Sequence, residues 1–432
     1  MHKMSGRNLP FKSEVIAMKK EKVFRDPIHQ YIYINDDVIW QLINTRAFQR
    51  LNNIKQLGGS YQVFHGAMHT RFGHSLGAYA IAKDMYEKVP QLATEISEYE
   101  RIVLFCAALL HDLGHGPYSH AAEKFIKLHH EDITCKIIEE DCEIRSILDD
   151  HNRNLAKDII AVLQKKYQNP ILSQLISSQV DVDRMDYLLR DSHYAGVPYG
   201  RYDKDRIIRV IKIRNGLIYF TDTGIHALEN FMISRYHMRQ QVYNNSKGRS
   251  FEIMVQLAVE RFIKLWHENK IEKTAFFTQF YKFLSVDETS NIADFIRFDD
   301  HTFTTVLQLL AESPDNVLQE LATNIVHRHL FEAYIIEDEA MFIEYQQQIL
   351  AARENDQPFG YQAFTETTFE TSIYSDNKDS GIHVLKPDDS IIPIETISPI
   401  IRTLQQESTS EKYYLYMHKK FAIDKNSKIV NK

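Results

Sequence analysis

Residues 108–120, ALLHDLGHGPYSH, place three histidines and an aspartate within ten positions, directly behind the most apolar run of the chain at 102–110. Such a run reads as a buried helix, and Gly114, Gly116 and Pro117 stop it. A buried helix that ends in His111, Asp112, His115 and His120 has two explanations. Either these side chains satisfy the helix terminus, or they hold a ligand. Imidazole brings neutral nitrogen and aspartate brings hard oxygen and charge, the pairing that divalent metals take.

Working outward, the chain reads as mainly α. Helical patterns are expected over 36–55, 76–88, 100–113 and 119–129, in a segment closing at Gly196, and from 225 to about 270. FRDPIHQYIYI (24–34) alternates and reads as a short strand or extended lead-in. Two alternating runs near 207–222 flank Asn215-Gly216, the pattern of a type I′ hairpin. Beyond 328, EAYIIED, GIHVLKPDDSIIPIETIS and KYYLYMHKK read as strands, and ETSIYSDNKDSG as an exposed loop. The expected organisation is a lead at 1–21, a helical domain at 22–327 that carries the hairpin, and a smaller α+β region at 328–432 that makes subunit contacts.

With 51 lysines and arginines against 58 acidic residues, the net charge of -7 argues against a general nucleic-acid coat while leaving room for a local basic pocket. Cys106, Cys135 and Cys142 form no CxxC pattern, which favours a reducing compartment over a disulfide scaffold. The apolar run at 102–110 is far shorter than the ~20 residues of a membrane span, and the first 21 residues lack the apolar core of a signal peptide. A cytoplasmic protein with no membrane contact is expected.

Two further stretches extend the histidine–aspartate pattern. HTRFGHSLG (69–77) sets His74 near the start of an apolar helix with Arg71 one turn earlier. VDVDRMDYLLRD (180–191) sets Asp183, Tyr187 and Asp191 at i, i+4 and i+8, one polar stripe along a helix. Each piece alone is weak, since a lone His-Asp is more often a capped helix end. In the order H…HD…D, each on an apolar helix, His74, His111, Asp112 and Asp183 make a ligand set for one octahedral divalent ion, with two positions open to water and substrate.

This pattern resembles the HD superfamily of metal-dependent phosphohydrolases. More narrowly, it is similar to the deoxynucleoside triphosphate triphosphohydrolases related to the SAM-and-HD-domain enzyme. The matching phrases are KVFRDPIHQYI, FQRLNNIKQLGG, VFHGAMHTRFGHSLG, LLHDLGHGPYSH, HHEDIT, DVDRMDYLLRD and SRYHMRQQVYNNSKG, spread over roughly residues 22–250. No SAM domain is expected, the lead being too short for one. The resemblance implies an HD-domain helical bundle that binds one divalent ion per subunit (Mg, Mn, Fe, Zn or Ni). It also implies cleavage of a dNTP to deoxynucleoside and inorganic triphosphate by water attack at the α-phosphate.

The same resemblance implies roles for individual residues. Arg71, Arg184 and Arg235 fall at phosphate-holding positions, although the family often has lysine at the second of these. His120 and His130 line the phosphate path, and His115 is the general acid, its imidazole oriented by Glu123. Gln56, Tyr187 and Asp191 surround the sugar, the Tyr187 ring excluding a 2′-hydroxyl, and Leu57 and Tyr243 are pocket walls. A homotetramer with a nucleotide effector is implied as well, with Lys22, Val23, Asn44, Gln49, Val63 and Phe64 at effector-contact positions. Asn44 and Asn52 depart from the acidic residue and arginine with which relatives read guanine, so GTP is expected to activate weakly. Two other readings stay open: an HD-type 5′-nucleotidase or phosphodiesterase, and a non-catalytic nucleotide sensor or nucleic-acid binder. The sugar-pocket match weighs against the first, and the intact ligand set and acidic balance weigh against the second.

Overall fold

The computed structural model describes residues 22–287, 289–370, 381–406, 410–424 and 428–431. The expected lead at 1–21 and all but the ends of the expected loop at 370–381 lie outside them. The described chain opens with a hairpin rather than a single strand: β1 (Lys22–Asp26) pairs antiparallel with β2 (Gln30–Ile34). The helical body follows. Here α1 (Arg71–Lys88) packs against both α2 (Glu98–Leu110) and, from later in the chain, the helix Val182–Ala195. Between these come α3 (His130–Glu140) and α4 (Leu155–Leu163), and Val182–Ala195 is therefore α5.

Helix α2 forms for legible reasons. Ser97 caps it in a reciprocal box, its Oγ accepting from Glu100 N at 3.2 Å while Ser97 N donates to Glu100 Oε2 at 2.8 Å. Every residue from 102 to 110 is buried, so this is the central helix of the body. The chain leaves it at His111 and must then pass α3 closely. A Cβ at Gly114 would stand 2.0 Å from the His130 carbonyl oxygen, so only glycine permits that passage. Helix α5 starts at Asp181, whose side chain accepts from Arg184 N at 2.7 Å, and ends at Gly196 in the left-handed region.

The Asn215-Gly216 hairpin is present as β3 (Ile211–Arg214) and β4 (Leu217–Thr221), and both turn residues take the positive φ that a type I′ turn needs. Residues 207–209, at the start of the expected hairpin, instead belong to a short helix, Lys204–Arg209, capped by Asp203. The helical stretch after 225 divides into α6 (Ile225–Met238), a π-turn at Arg239–Tyr243, and α7 (Ser246–His267).

Further on come β5 (Glu332–Ile336), α8 (Glu339–Glu354), β6 (Ala363–Glu370), β7 (His383–Leu385), β8 (Ile391–Pro393) and β9 (Ser410–Met417). Strand β9 lies between β5 and β6, antiparallel to both, and Phe342, Tyr345 and Ile349 of α8 pack with Leu415 and Met417 in a small second core. Strands β7 and β8 extend the β3–β4 hairpin, β7 running parallel to β4, so that sheet draws strands from both sides of residue 328.

Two expected helices are corrected. Residues 36–55 are interrupted at Thr45, which takes extended backbone and caps the next turn, giving Asp37–Ile43, Arg46–Gln49 and a 3-10 turn at Arg50–Asn53. Residues 119–129 are a folded loop with a 3-10 turn only at Ala122–Lys124. Tyr118 and Ser119 have positive φ, and Tyr118 N donates to buried Asp300 at 2.7 Å. That loop becomes one wall of the site.

Candidate metal centre and active-site pocket

Three helix ends converge. His74 stands on the first turn of α1, His111 caps the C-terminus of α2, and Asp183 sits in the first turn of α5. His74 Nε2 is 3.2 Å from His111 Nε2, 3.1 Å from Asp183 Oδ1 and 3.6 Å from Asp112 Oδ2. His111 Nε2 is 3.4 Å from Asp112 Oδ1 and 3.6 Å from Asp183 Oδ1. Ligand atoms that each lie about 2 Å from one shared ion stand about 3–3.5 Å apart, so the four side chains fit a single divalent cation. His111 Nδ1 lies 2.9 Å from the Ala108 carbonyl oxygen and His74 Nδ1 lies 2.8 Å from Asp186, which leaves both Nε2 atoms for the ion.

The electrostatics agree. Burial works against charge on His74, yet hydrogen bonds to Asp183 and Asp186 and the nearby Asp112 push it up to about 10. His111 is raised for similar reasons, Asp112 and Asp183 outweighing its burial. Asp183 is held well below the usual carboxylate range, the two histidines overcoming its desolvation. The space between these groups favours positive charge.

A cavity of about 380 Å³ opens onto this centre, lined by Gln56, Leu57, Arg71, His115, Tyr187 and Asp191 among others, with Asp112 and Asp183 in its wall. His120, His130 and Tyr243 also line it. Arg71 donates to Asp112 and, at 2.8 Å, to Ser119 Oγ. Asp191 is pinned between His69 at 2.7 Å and the Tyr243 hydroxyl at 2.9 Å. Burial pushes the Tyr187 phenol up to about 12, so it is a neutral donor.

Two of the residues lining the cavity carry a buried polar atom without a protein partner, Gln56 Oε1 and His115 Nδ1. Each unsatisfied group costs about 1–3 kcal/mol, a cost that a ligand completing the bonding would remove.

Not every expected residue sits as expected. Glu123 does not meet His115; its Oε1 lies 3.1 Å from His120 Nδ1 and 2.6 Å from His130 Nδ1. His115 instead stacks on His130 with ring centroids 3.9 Å apart and approaches Asp112 at 3.4 Å. Burial and Arg71 hold the His115 imidazole well below its ordinary pKa, so it is neutral. Arg184 is ion-paired to its own cap residue Asp181, and Arg235 donates to Gln179 at 2.8 Å; neither is among the residues lining the cavity.

The HD domain family matches residues 71–191, and the HD associated region matches residues 202–281. Over 315 residues the chain is 41% identical to the uncharacterized protein YwfO of Bacillus subtilis, covering 73% of this chain and 72% of that one. A crystal structure of a phosphohydrolase from Bacteroides thetaiotaomicron superposes with a TM-score of 0.81 at 28% identity, covering 93% of this chain and all of that one. The chain belongs to the HD-domain phosphohydrolase family. Among its relatives is the deoxynucleoside triphosphate triphosphohydrolase SAMHD1 homolog of Dictyostelium discoideum, 33% identical over 267 residues that cover 58% of this chain and 51% of that one. It is thus a hydrolase whose HD domain binds a divalent metal, and no helix among the described residues is long and apolar enough to cross a membrane.

Around the HD centre, several residues were not anticipated from sequence. Arg50 is buried and donates to the carbonyl oxygens of Leu113 and His115 at 3.3 and 2.8 Å, fixing the loop that carries the HD pair. Asp186 and Arg190 lie behind His74.

The expected effector positions fall outside the cavity. Lys22 lies over Trp40 and pairs with Asp37, Val23 is exposed, and Asn44 donates to the Trp40 carbonyl oxygen at 2.6 Å. Gln49 donates to the Ile43 carbonyl oxygen and accepts from Asn52, while Val63 and Phe64 follow the short helix Gly58–Gln62.

Proposed function

We propose that this HD-domain hydrolase converts a deoxynucleoside triphosphate to deoxynucleoside and inorganic triphosphate. The observation that carries the reading is one cavity with two chemically different ends that meet at the ligand carboxylates. Arg71, bonded to Asp112, marks a cationic end with His120 and His130. Tyr187, one turn after Asp183, marks a hydrogen-bonding end without lysine or arginine, shared with Gln56, Tyr243 and the Asp191 carboxylate. The cationic end suits a polyphosphate and the hydrogen-bonding end suits a sugar.

An ion held by His74, His111, Asp112 and Asp183 would supply Lewis acidity toward the α-phosphate and the attacking water. Arg71 offers its guanidinium to a phosphate oxygen beside that centre. As water bonds to the α-phosphorus, the bond from phosphorus to the 5′ oxygen breaks and that oxygen needs a proton. His120 supports this role better than His115. Its side chain is 64% exposed and Glu123 accepts from its Nδ1, so that as an imidazolium it turns an Nε2 hydrogen toward the leaving oxygen. His115, neutral and packed against His130 and Asp112, keeps those two in place.

Gln56 Oε1 is a buried acceptor awaiting a donor, which a sugar hydroxyl supplies. The Tyr187 ring, 6.5 Å from the His74 ring and 6.1 Å from the Tyr243 ring, packs in this reading under the sugar and excludes a 2′-hydroxyl. In this reading residues 22–327 carry the chemistry and 328–432 make subunit contacts in a tetramer, with a nucleotide effector near Lys22, Asn44 and Val63.

Incubating metal-loaded protein with each dNTP and separating the products tests the proposal. Equimolar deoxynucleoside and triphosphate support it. Pyrophosphate or orthophosphate as the primary product would point to a different phosphohydrolase, and no turnover would point to a sensor.

A further inference from the structure

The segment FRDPIHQ (24–30) takes no part in the cavity, yet its turn reaches the metal centre from behind. His29 Nε2 lies 2.7 Å from Asp186 Oδ1. Asp26 Oδ1 accepts both turn amides, from Ile28 and His29, at 2.9 Å, while its Oδ2 accepts from Arg190 Nη1 at 2.8 Å. Arg190 in turn clasps Asp186, Nε donating to Oδ2 at 2.8 Å and Nη2 to Oδ1 at 2.9 Å. The last link runs from Asp186 Oδ2 to His74 Nδ1, 2.8 Å away. No side chain in this chain of contacts is more than 8% exposed.

Because guanidinium can only donate, both Asp186 oxygens are acceptors, and His74 Nδ1 must then carry the hydrogen. That fixes the tautomer which turns the Nε2 lone pair toward His111 and Asp183. Two glycines on α1 make room for the arrangement. A Cβ at Gly77 would lie 1.8 Å from Asp186 Oδ1, and one at Gly73 would lie 3.3 Å from Arg190 Nη1.

We propose that Asp186 is the positioning carboxylate of the ligand His74, and that the N-terminal hairpin turn, through Asp26 and His29, holds Asp186 and Arg190 in register and so sets the metal affinity of the centre. The proposal rests on the reading of His74, His111, Asp112 and Asp183 as ligands. The hairpin is thereby part of the metal site although it contributes no ligand.

The test uses the full chain stripped of metal by chelator and titrated with Co²⁺ alone, followed by its visible absorption, for wild type, His29→Leu and His29→Gln. Leucine fills the space without a donor, whereas the glutamine amide can donate to Asp186 as the imidazole does. The expected result is one Co²⁺ per wild-type chain, affinity weakened about 10–100-fold with an altered spectrum in His29→Leu, and near-complete recovery of both in His29→Gln. The thermal midpoints of the two stripped variants should be similar. Should His29→Leu fail to fold, Asp26→Asn reads the same coupling, because asparagine still accepts the turn amides but no longer pins Arg190 by charge. Wild-type binding with unchanged affinity and spectrum in the variants overturns the proposal alone. Loss of affinity that glutamine does not restore and that follows the thermal midpoint also overturns it. A wild-type chain that takes up no ion overturns the ligand assignment, and the proposal with it.

Discussion

Gly77→Ala sets two effects of opposite sign against each other at one position. In the interior of α1, alanine should stabilise the helix by about 1 kcal/mol relative to glycine. The new Cβ, however, would stand 1.8 Å from Asp186 Oδ1, 2.4 Å from its Cγ and 2.5 Å from Arg190 Nη2. Ordinary contact needs roughly 1.5 Å more separation, and both neighbours are buried and tied on their far sides to Asp26, His29 and His74. Overpacking of this kind costs about 1–3 kcal/mol, and disturbing a buried ion pair costs about 3–5 kcal/mol. The clash therefore outweighs the helix gain, with a net loss of about 3–7 kcal/mol and a fall in bound metal. Urea unfolding of the stripped protein followed by far-UV circular dichroism measures the first, and elemental analysis of the purified variant measures the second. Gly73→Ala is the internal control, since its Cβ meets the Arg190 guanidinium at 3.3 Å from Nη1 and 3.9 Å from Cζ and should be tolerated. A Gly77→Ala protein as stable as wild type with a full complement of metal would refute the packing argument.

Other outcomes follow from the site. Asp112→Ala or His111→Ala should lose metal and turnover together, and an Asp112→Ala protein with stoichiometric metal and full activity would contradict the ligand set. His120→Ala and Glu123→Gln should keep the metal while turnover drops by roughly 10²–10⁴ in the first and less in the second, checked by metal content and dNTP hydrolysis; loss of metal instead would make His120 a ligand. Tyr187→Ala should raise ribonucleotide hydrolysis relative to deoxyribonucleotide hydrolysis, and an unchanged ratio would remove the ring from sugar selection. On the proposed effector reading GTP should activate weakly, because Asn44 and Asn52 stand where the resemblance implies a guanine-reading pair; strong activation by GTP alone in assays with added nucleotides would count against that. Asp84 is pushed up by burial but held below its ordinary pKa by Lys204 and Lys88. Its contribution to stability is present above about pH 4 and lost as pH falls through its folded value, so the gap between wild type and Asp84→Asn in urea unfolding should narrow on acidification.

What the sequence revealed and what it hid divide along contact distance in the chain. His111 and Asp112 are legible because an apolar helix ends at them, and Asp183, Tyr187 and Asp191 because helical spacing alone puts them on one face. The hairpin at Asn215-Gly216 is legible because a local backbone demand selects those residues. The loop at 116–129 is not, since the positive φ of Tyr118 and Ser119 accompanies a hydrogen bond to Asp300, 182 residues away. The same holds for the buttress of His74, where His29 meets Asp186 across 157 residues and Asp26 meets Arg190 across 164. The resemblance implies Glu123 as the partner of His115, but the folded loop turns it toward His120 and His130. Strand β6, AFTETTFE, escaped notice because it is an edge strand with few large apolar residues, recruited by pairing with β9.

Where the attacking oxygen ends up decides the proposed reaction most directly. Metal-loaded protein is incubated with a dNTP in ¹⁸O-labelled water, and the products are resolved by mass spectrometry. Attack at the α-phosphorus with loss of the 5′ oxygen predicts one ¹⁸O in the released triphosphate and none in the deoxynucleoside. Label in a deoxynucleoside monophosphate or diphosphate, or in free orthophosphate with the glycosyl product still phosphorylated, would contradict it.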